Sequence, residues 1–181
     1  QQAITSGKRA IQTLQAAVSQ STSDETLAAD LYVQLAGYYS NLSAVYDLQI
    51  QAYAAQNLLE PQLIAQQNKL QVQTEQLDAI LPSQNAALTV NTNLALGITH
   101  WSIGQTHQQL GQSLEAADAS KAALVLAQQI SASKLELFTL LALSNQYWSL
   151  GEQTRKSGEY QQAREYLTLA QTYGRQVLEV S

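Results

Sequence analysis

The chain has 181 residues, 45% of them hydrophobic and only 13% charged, with a formal net charge of −5. That length suits one domain or a short repeat array, and the charged share is about half the usual ~25%. The acidic balance argues against nucleic acid and anionic membrane surfaces as partners, both of which call for basic patches, and no run of 18 apolar residues is present to predict a membrane-spanning helix.

Glutamine fills much of the missing charge and keeps helix faces wet. Two prolines and eight glycines leave few breakers, so long helices are expected. Residues 2–20 carry the stripe Ile4, Ile11, Leu14, Ala17 and Val18, a helix. Ser21–Asp24 is a polar break in which Ser23 or Asp24 is the expected N-cap. The next helix, about 25–58, keeps its apolar face with Leu27, Leu31, Leu35, Tyr38, Tyr39 and Leu42. After Asn41 no Gly or Pro interrupts before Asn57–Pro61, which favours one long helix over two separated near Ser40–Ser43; both remain open at this stage.

Pro61 fits the first turn of a helix over 61–81, with Leu63, Ile64, Leu70, Leu77, Ile80 and Leu81. Pro82 stops it and Ser83 opens a helix over 84–110. Residues 112–130 form its partner, Ser131–Ser133 supplies loop and cap, and 133–157 and 159–179 are the last pair, with a tight turn at Ser157–Gly158. From Ala79 to Leu114 there is no Asp, Glu, Lys or Arg, as expected for a helix flanked on both sides, where Ser, Thr, Asn and Gln are satisfied by neighbours.

An internal repeat runs through the second half. His100, Ile103 and Gly104 stand 47 residues before Tyr147, Leu150 and Gly151. At the same shift Gly111, Ala116, Ser120 and Ala123 precede Gly158, Ala163, Leu167 and Ala170. Tyr39, Leu42, Ser43 and Tyr46 repeat the first-helix spacing, and Ala10, Leu14 and Ala17 the second-helix spacing. The stretch YWSLGEQTRKSGEYQQAREYLTLA, Tyr147 to Ala170, resembles the tetratricopeptide (TPR) repeat. It departs at Thr154, where an aromatic residue is usual, and its period exceeds that of the family, so the repeats are lengthened. The resemblance implies an all-α fold, about seven antiparallel helices stacked as a TPR-like right-handed solenoid. The units would be 1–22 (partial), 24–81, 84–130 and 132–179 of a single repeat domain. The first helix is then the second half of a repeat whose first half is missing. With no methionine, the chain is expected to be a fragment or a processed or trimmed form.

Enzyme motifs are absent: there is no glycine-rich phosphate loop and no GxSxG elbow. With no cysteine, disulfides and thiolate metal sites are excluded, and no cofactor is expected. His100 and His107 share a helical face but have no third donor nearby, and both stand where the repeat expects packing aromatics. Glu152, Arg155, Lys156 and Glu159 read as a solvated cluster.

Trp101 and Trp148 also differ by 47 and each follows the first aromatic place of its copy. In the family that place faces the concave groove. The resemblance therefore implies a partner-binding set of Ile98, Trp101, Gln105 and Gln108 on one helix and Asn145, Trp148, Glu152 and Arg155 on the next. Gly37, Ser40, Ala44 and Asp47 match in the first long helix. The competing reading packs both indoles between helices, each N–H bonded to a Gln or Ser. Some TPR domains grip a C-terminal carboxylate with Lys and Asn; here those places are mostly Trp, Gln and Glu, so that activity does not carry over.

The expected function is a non-catalytic scaffold that holds a peptide or helix by apolar anchors and Gln/Asn hydrogen bonds. Alternatives are self-association through array ends, a regulatory region of a larger protein, and a small-ligand or enzymatic helical domain, which would need both histidines and a carboxylate in one pocket. Gln-rich, lengthened repeats look like those of large bacterial proteins that place such arrays beside a protease-like or signalling domain. Absent cysteine and low charge lean towards an extracytoplasmic setting.

Overall fold

The computed structural model describes residues 2–21 and 25–180. The cap expected at Ser23 or Asp24 lies outside the described residues. Among them are seven α-helices and no strand: α1 Gln2–Gln20, α2 Glu25–Ala55, α3 Leu59–Ile80, α4 Ala86–Gln109, α5 Ser113–Gln129, α6 Ser133–Lys156 and α7 Tyr160–Val180. The chain is thus all-α, a helical repeat of antiparallel pairs, and it divides into two compact units, residues 1–96 and 97–181.

In the first unit α2 is a single helix of 31 residues. No break occurs at Ser40–Ser43, because Tyr39, Leu42, Ser43 and Tyr46 all bury on one continuous face. With Leu35, Ile11 of α1 and Val72 of α3 these apolar side chains form the core. Gln15 of α1 donates to the Tyr39 hydroxyl at 3.0 Å. Asp47 pairs with Lys69 at 2.7 Å, while Gln76 donates to the Ala36 carbonyl at 3.3 Å. Numbers rise along α2 as they fall along α3, so the two run antiparallel.

α2 ends at Ala55, earlier than the sequence implies, since Asn57 turns left-handed with φ +54°. Its closure is a Schellman motif: Leu58 N–H bonds back to Tyr53 O at 2.9 Å, and Asn57 N–H to Ala54 O at 3.0 Å. Identical closures follow α4 (Gln112 to His107), α5 (Ala132 to Ala127) and α6 (Glu159 to Thr154). Gly111 and Gly158 take the left-handed place 47 residues apart, as their type demands; Asn57 and Ser131 take it without being glycine.

Two caps differ from expectation. After a 3-10 turn at Leu81–Ser83, the Ser83 hydroxyl donates to Ile80 O at 2.6 Å, and it is Asn85 Oδ1 that accepts the Leu88 N–H at 3.1 Å. Asn85 therefore caps α4, which starts at Ala86. Ser131–Ser133 supplies the loop before α6 but no side-chain cap; Ala132 occupies that place.

The second unit is built by small residues. A Cβ on Gly104 would come 2.7 Å from Ser120 Oγ and 3.1 Å from Ala116 O. One repeat later a Cβ on Gly151 would come 2.7 Å from Leu167 Cγ and 3.3 Å from Ala163 O. Both glycines let a first helix lie directly on the backbone of its antiparallel partner, and Ala116 and Ala163 are buried beneath. Gly97 approaches Ala123 in the first copy; at the shifted place Ser144 donates to Ala170 O at 3.0 Å. Around this seam Leu124, Leu140, Leu143, Tyr147, Leu150 and Ala170 pack, with Tyr173 stacked on Tyr147 at 5.7 Å.

Candidate functional site

Each expected site residue can be placed by the register just described. On α4 and α6 the buried faces pass through Ile103 and Gly104 and through Leu150 and Gly151, so positions spaced three and four apart on the other side form a second stripe. On α6 that stripe is Asn145, Trp148, Glu152 and Arg155; Asn145, Trp148 and Arg155 are exposed and Glu152 is half-buried. On α4 it is Ile98, Trp101, Gln105 and Gln108, with Ile98 exposed and the others half-buried.

The two tryptophans part company. Trp148 is 58% exposed and packs on no aromatic ring among the described residues. Trp101 lies against Phe138 of α6, ring centroids 6.1 Å apart and tilted by 32°. Its Nε1 is shielded from solvent yet finds no hydrogen-bond partner among the described residues, rather than the Gln or Ser that a purely structural indole would use. Gln108, two turns on, likewise holds a shielded Oε1 with no acceptor bond made. An unpaired buried polar group of this kind costs about 1–3 kcal/mol.

The structure adds Phe138 and Leu141, both exposed, which the sequence reading omitted. Their signal was present: they continue the three-and-four spacing backwards from Asn145. Phe138, Leu141 and Trp148 thus form an exposed apolar stripe on α6, touching Trp101 on α4. At its far end the stripe turns polar. Arg155 grips Glu152 with two bonds, Nε to Oε1 at 3.2 Å and Nη2 to Oε2 at 2.8 Å. That hydrogen bonding, then the charge of Arg155, holds the Glu152 carboxyl below the usual range. A groove of about 590 Å³ opens there between Gln108 and Gly111 on one side and Glu152, Gln153 and Lys156 on the other.

The histidines are not brought together as a pair. His100 is half-buried, and burial lowers its pKa. His107 Nδ1 lies 2.7 Å from Gln112 Oε1, at the closing turn of α4. Among the described residues no group of three or more His, Asp or Glu is placed to hold a metal ion. No described helix is long and apolar enough to cross a membrane.

The matching residues of the first unit have different surroundings. Gly37, Ser40 and Asp47 of α2 line a groove of about 460 Å³, walled by Lys69, Gln73 and Gln76 of α3 and by the first half of α4; Ala44 is exposed outside it. No model of a known protein family matches the chain, and no curated protein matches it.

Proposed function

We propose that the chain is a non-catalytic protein-interaction module of TPR-like type, holding an amphipathic helix or peptide along the α4–α6 face of the second unit. The observation that carries this reading is the exposed stripe of Phe138, Leu141 and Trp148 on α6. Large apolar side chains aligned over three turns are the anchors that a partner helix buries, and tryptophan is the commonest strong one. Trp101 adds its half-buried indole, packed on Phe138, beside this stripe. The Glu152–Arg155 pair at the polar end sets register more than affinity.

The test is capture of partners by the wild-type chain and by Trp148→Ala, whose exposed indole can be removed without disturbing the core. Far-UV circular dichroism first establishes that both fold. Truncating a central anchor costs about 2 kcal/mol or more, roughly 30-fold in affinity. A protein captured by the wild type and lost by the folded variant is the expected result. Equal capture by both removes the stripe from consideration. A second reading, self-association, rests on Leu178 of α7, which is 77% exposed; concentration-dependent sedimentation abolished by Leu178→Gln would favour it.

A further inference from the structure

We propose that the face of α1 carrying Ala10, Leu14 and Ala17 is a docking seat for an α-helix of a partner chain. That helix has the pattern shown by α6: a small residue, a glycine seven residues on, and an acid directly after the glycine. This goes beyond the reading above, because it concerns a different helix in the other unit, and its failure would leave the α6 stripe untouched.

The register of α1 comes from the repeat. Ile11 and Val18 of α1 stand 106 residues before Ala117 and Leu124 of α5. Each pair packs on the helix that follows it. Ile11 and Val18 join Tyr39 and Leu42 of α2, while Ala117 and Leu124 join Leu140, Leu143 and Tyr147 of α6. Gln15 and Lys121, at the same shift, both reach the tyrosine of that next helix. Gln15 donates to the Tyr39 hydroxyl at 3.0 Å, and Lys121 Nζ lies 5.5 Å from the Tyr147 ring centroid. So α1 turns towards α2 the same face that α5 turns towards α6.

One step round the helix, α5 has a second buried face. Ala116, Ser120 and Ala123 are all 0% exposed, beneath Gly97 and Gly104 of α4. On α7 the same places are Ala163, Leu167 and Ala170, and they seat α6. Gly151 approaches Ala163 and Leu167, and Ser144 donates to Ala170 O at 3.0 Å. The two alanines there are 2% and 4% exposed. α1 carries the same three residue types at the same spacing, Ala10, Leu14 and Ala17. Yet among the described residues α1 packs extensively only on α2, through its other face, and Ala10 and Ala17 stay half-buried. The occupant is defined by the two filled copies of this seat. Each holds an antiparallel helix that presents small residues seven apart, because only those let the backbones approach.

Charge completes the pattern. α1 holds Lys8 and Arg9 and no carboxylate, and neither cation forms an ion pair among the described residues. Arg9 directly precedes Ala10, as Glu152 directly follows Gly151. An acid beside the partner's glycine is therefore favoured at the rim of the seat.

The probe is a peptide of the sequence Ser133–Lys156, the chain's own α6, titrated into the full 15N-labelled chain and followed by NMR. Saturable shifts at Ala10, Leu14 and Ala17 are expected. Ala10→Leu fills the seat and should weaken binding about tenfold or more, as should Gly151→Leu in the peptide, since either side chain holds the helices apart. If Ala10→Leu fails to fold, Ala17→Leu decides, with the same loss expected. Arg9→Gln should weaken binding about two- to fivefold, and equal binding by that variant strikes the acid from the partner's pattern. Absence of saturable shifts in α1 overturns the proposal. Shifts confined to Ala163, Leu167 and Ala170 mean that the peptide replaces the chain's own α6, and they overturn it too. So does undiminished binding by the folded variant with the filled seat.

Discussion

The close approach at Gly151 can be tested by filling it. Alanine in a helix interior is favoured over glycine by about 0.8–1 kcal/mol. At Gly37, also within a helix, an added Cβ meets nothing within 4 Å, so Gly37→Ala should gain that full amount. At Gly151 the new methyl would stand 2.7 Å from Leu167 Cγ and 2.8 Å from its Cδ2. Cγ is the branch point of the side chain, not a free tip, so the helices must separate or Leu167 must leave its rotamer, costing about 1–3 kcal/mol. Gly151→Ala should therefore be destabilising by up to about 2 kcal/mol net of the propensity gain. Leu167→Ala removes both obstructing atoms, so the double variant should recover about 1–3 kcal/mol of coupling. Urea unfolding reads these changes: circular dichroism for Gly37→Ala, and tryptophan fluorescence for the others, since Trp101 and Trp148 both lie in the second unit. If Gly151→Ala raises the midpoint as Gly37→Ala does, or the Gly151/Leu167 cycle shows no coupling, the glycine seam is not what joins α6 to α7.

Gln146 is 1% exposed and neither amide atom has a partner among the described residues, so Gln146→Met should raise stability by about 1–3 kcal/mol; a lower urea midpoint would contradict this. Ser131 sits at φ +56° after α5, where Ser131→Gly should relieve about 1 kcal/mol, and an unchanged or lowered midpoint would count against strain there. Burial lowers the pKa of His100 in the folded chain, so the unfolded chain binds more protons as pH falls below about 6.5. Its contribution to stability is complete above that pH and is lost on acidification through the folded pKa. His100→Gln should flatten the stability profile between pH 7 and 5, and an identical slope in the variant would refute the assignment. Burial raises the pKa of Tyr39, reinforced by Glu75 and then Asp78, so the unfolded chain loses its proton first and stability should fall above about pH 10, less so in Tyr39→Phe.

Helix extents were legible because period and punctuation agreed: apolar stripes ran at helical spacing, and Gly111 and Gly158 stood where left-handed closures form. The glycine seam was legible too, since Gly104/Gly151 and Ala116/Ala163 recur at one shift, and only small residues permit the approach. Where one closure was made by Asn57 and another by Ser131, the sequence carried little warning, because neither is the glycine that marks Gly111 and Gly158. The cap of α4 was misplaced by two residues for a related reason. Ser83 is a good cap by type, but the 3-10 turn that follows Pro82 aims its hydroxyl back at Ile80, leaving Asn85 to accept from Leu88.

Identical register does not give identical surroundings, and this bears on function. Trp101 and Trp148 hold the same place in successive copies, yet Phe138 covers the first while the second stays open. At the place of Phe138 the earlier copy has Asn91, and at that of Leu141 it has Leu94. Backbone packing needs small residues at a few fixed positions and is indifferent to the outward stripe, so that stripe is free to diverge. In the second unit it is largely apolar and exposed, with Phe138, Leu141 and Trp148. In the first unit the corresponding residues, Gly37, Ser40 and Asp47, are small or polar and line a groove against α3. One scaffold thus presents two faces with different demands.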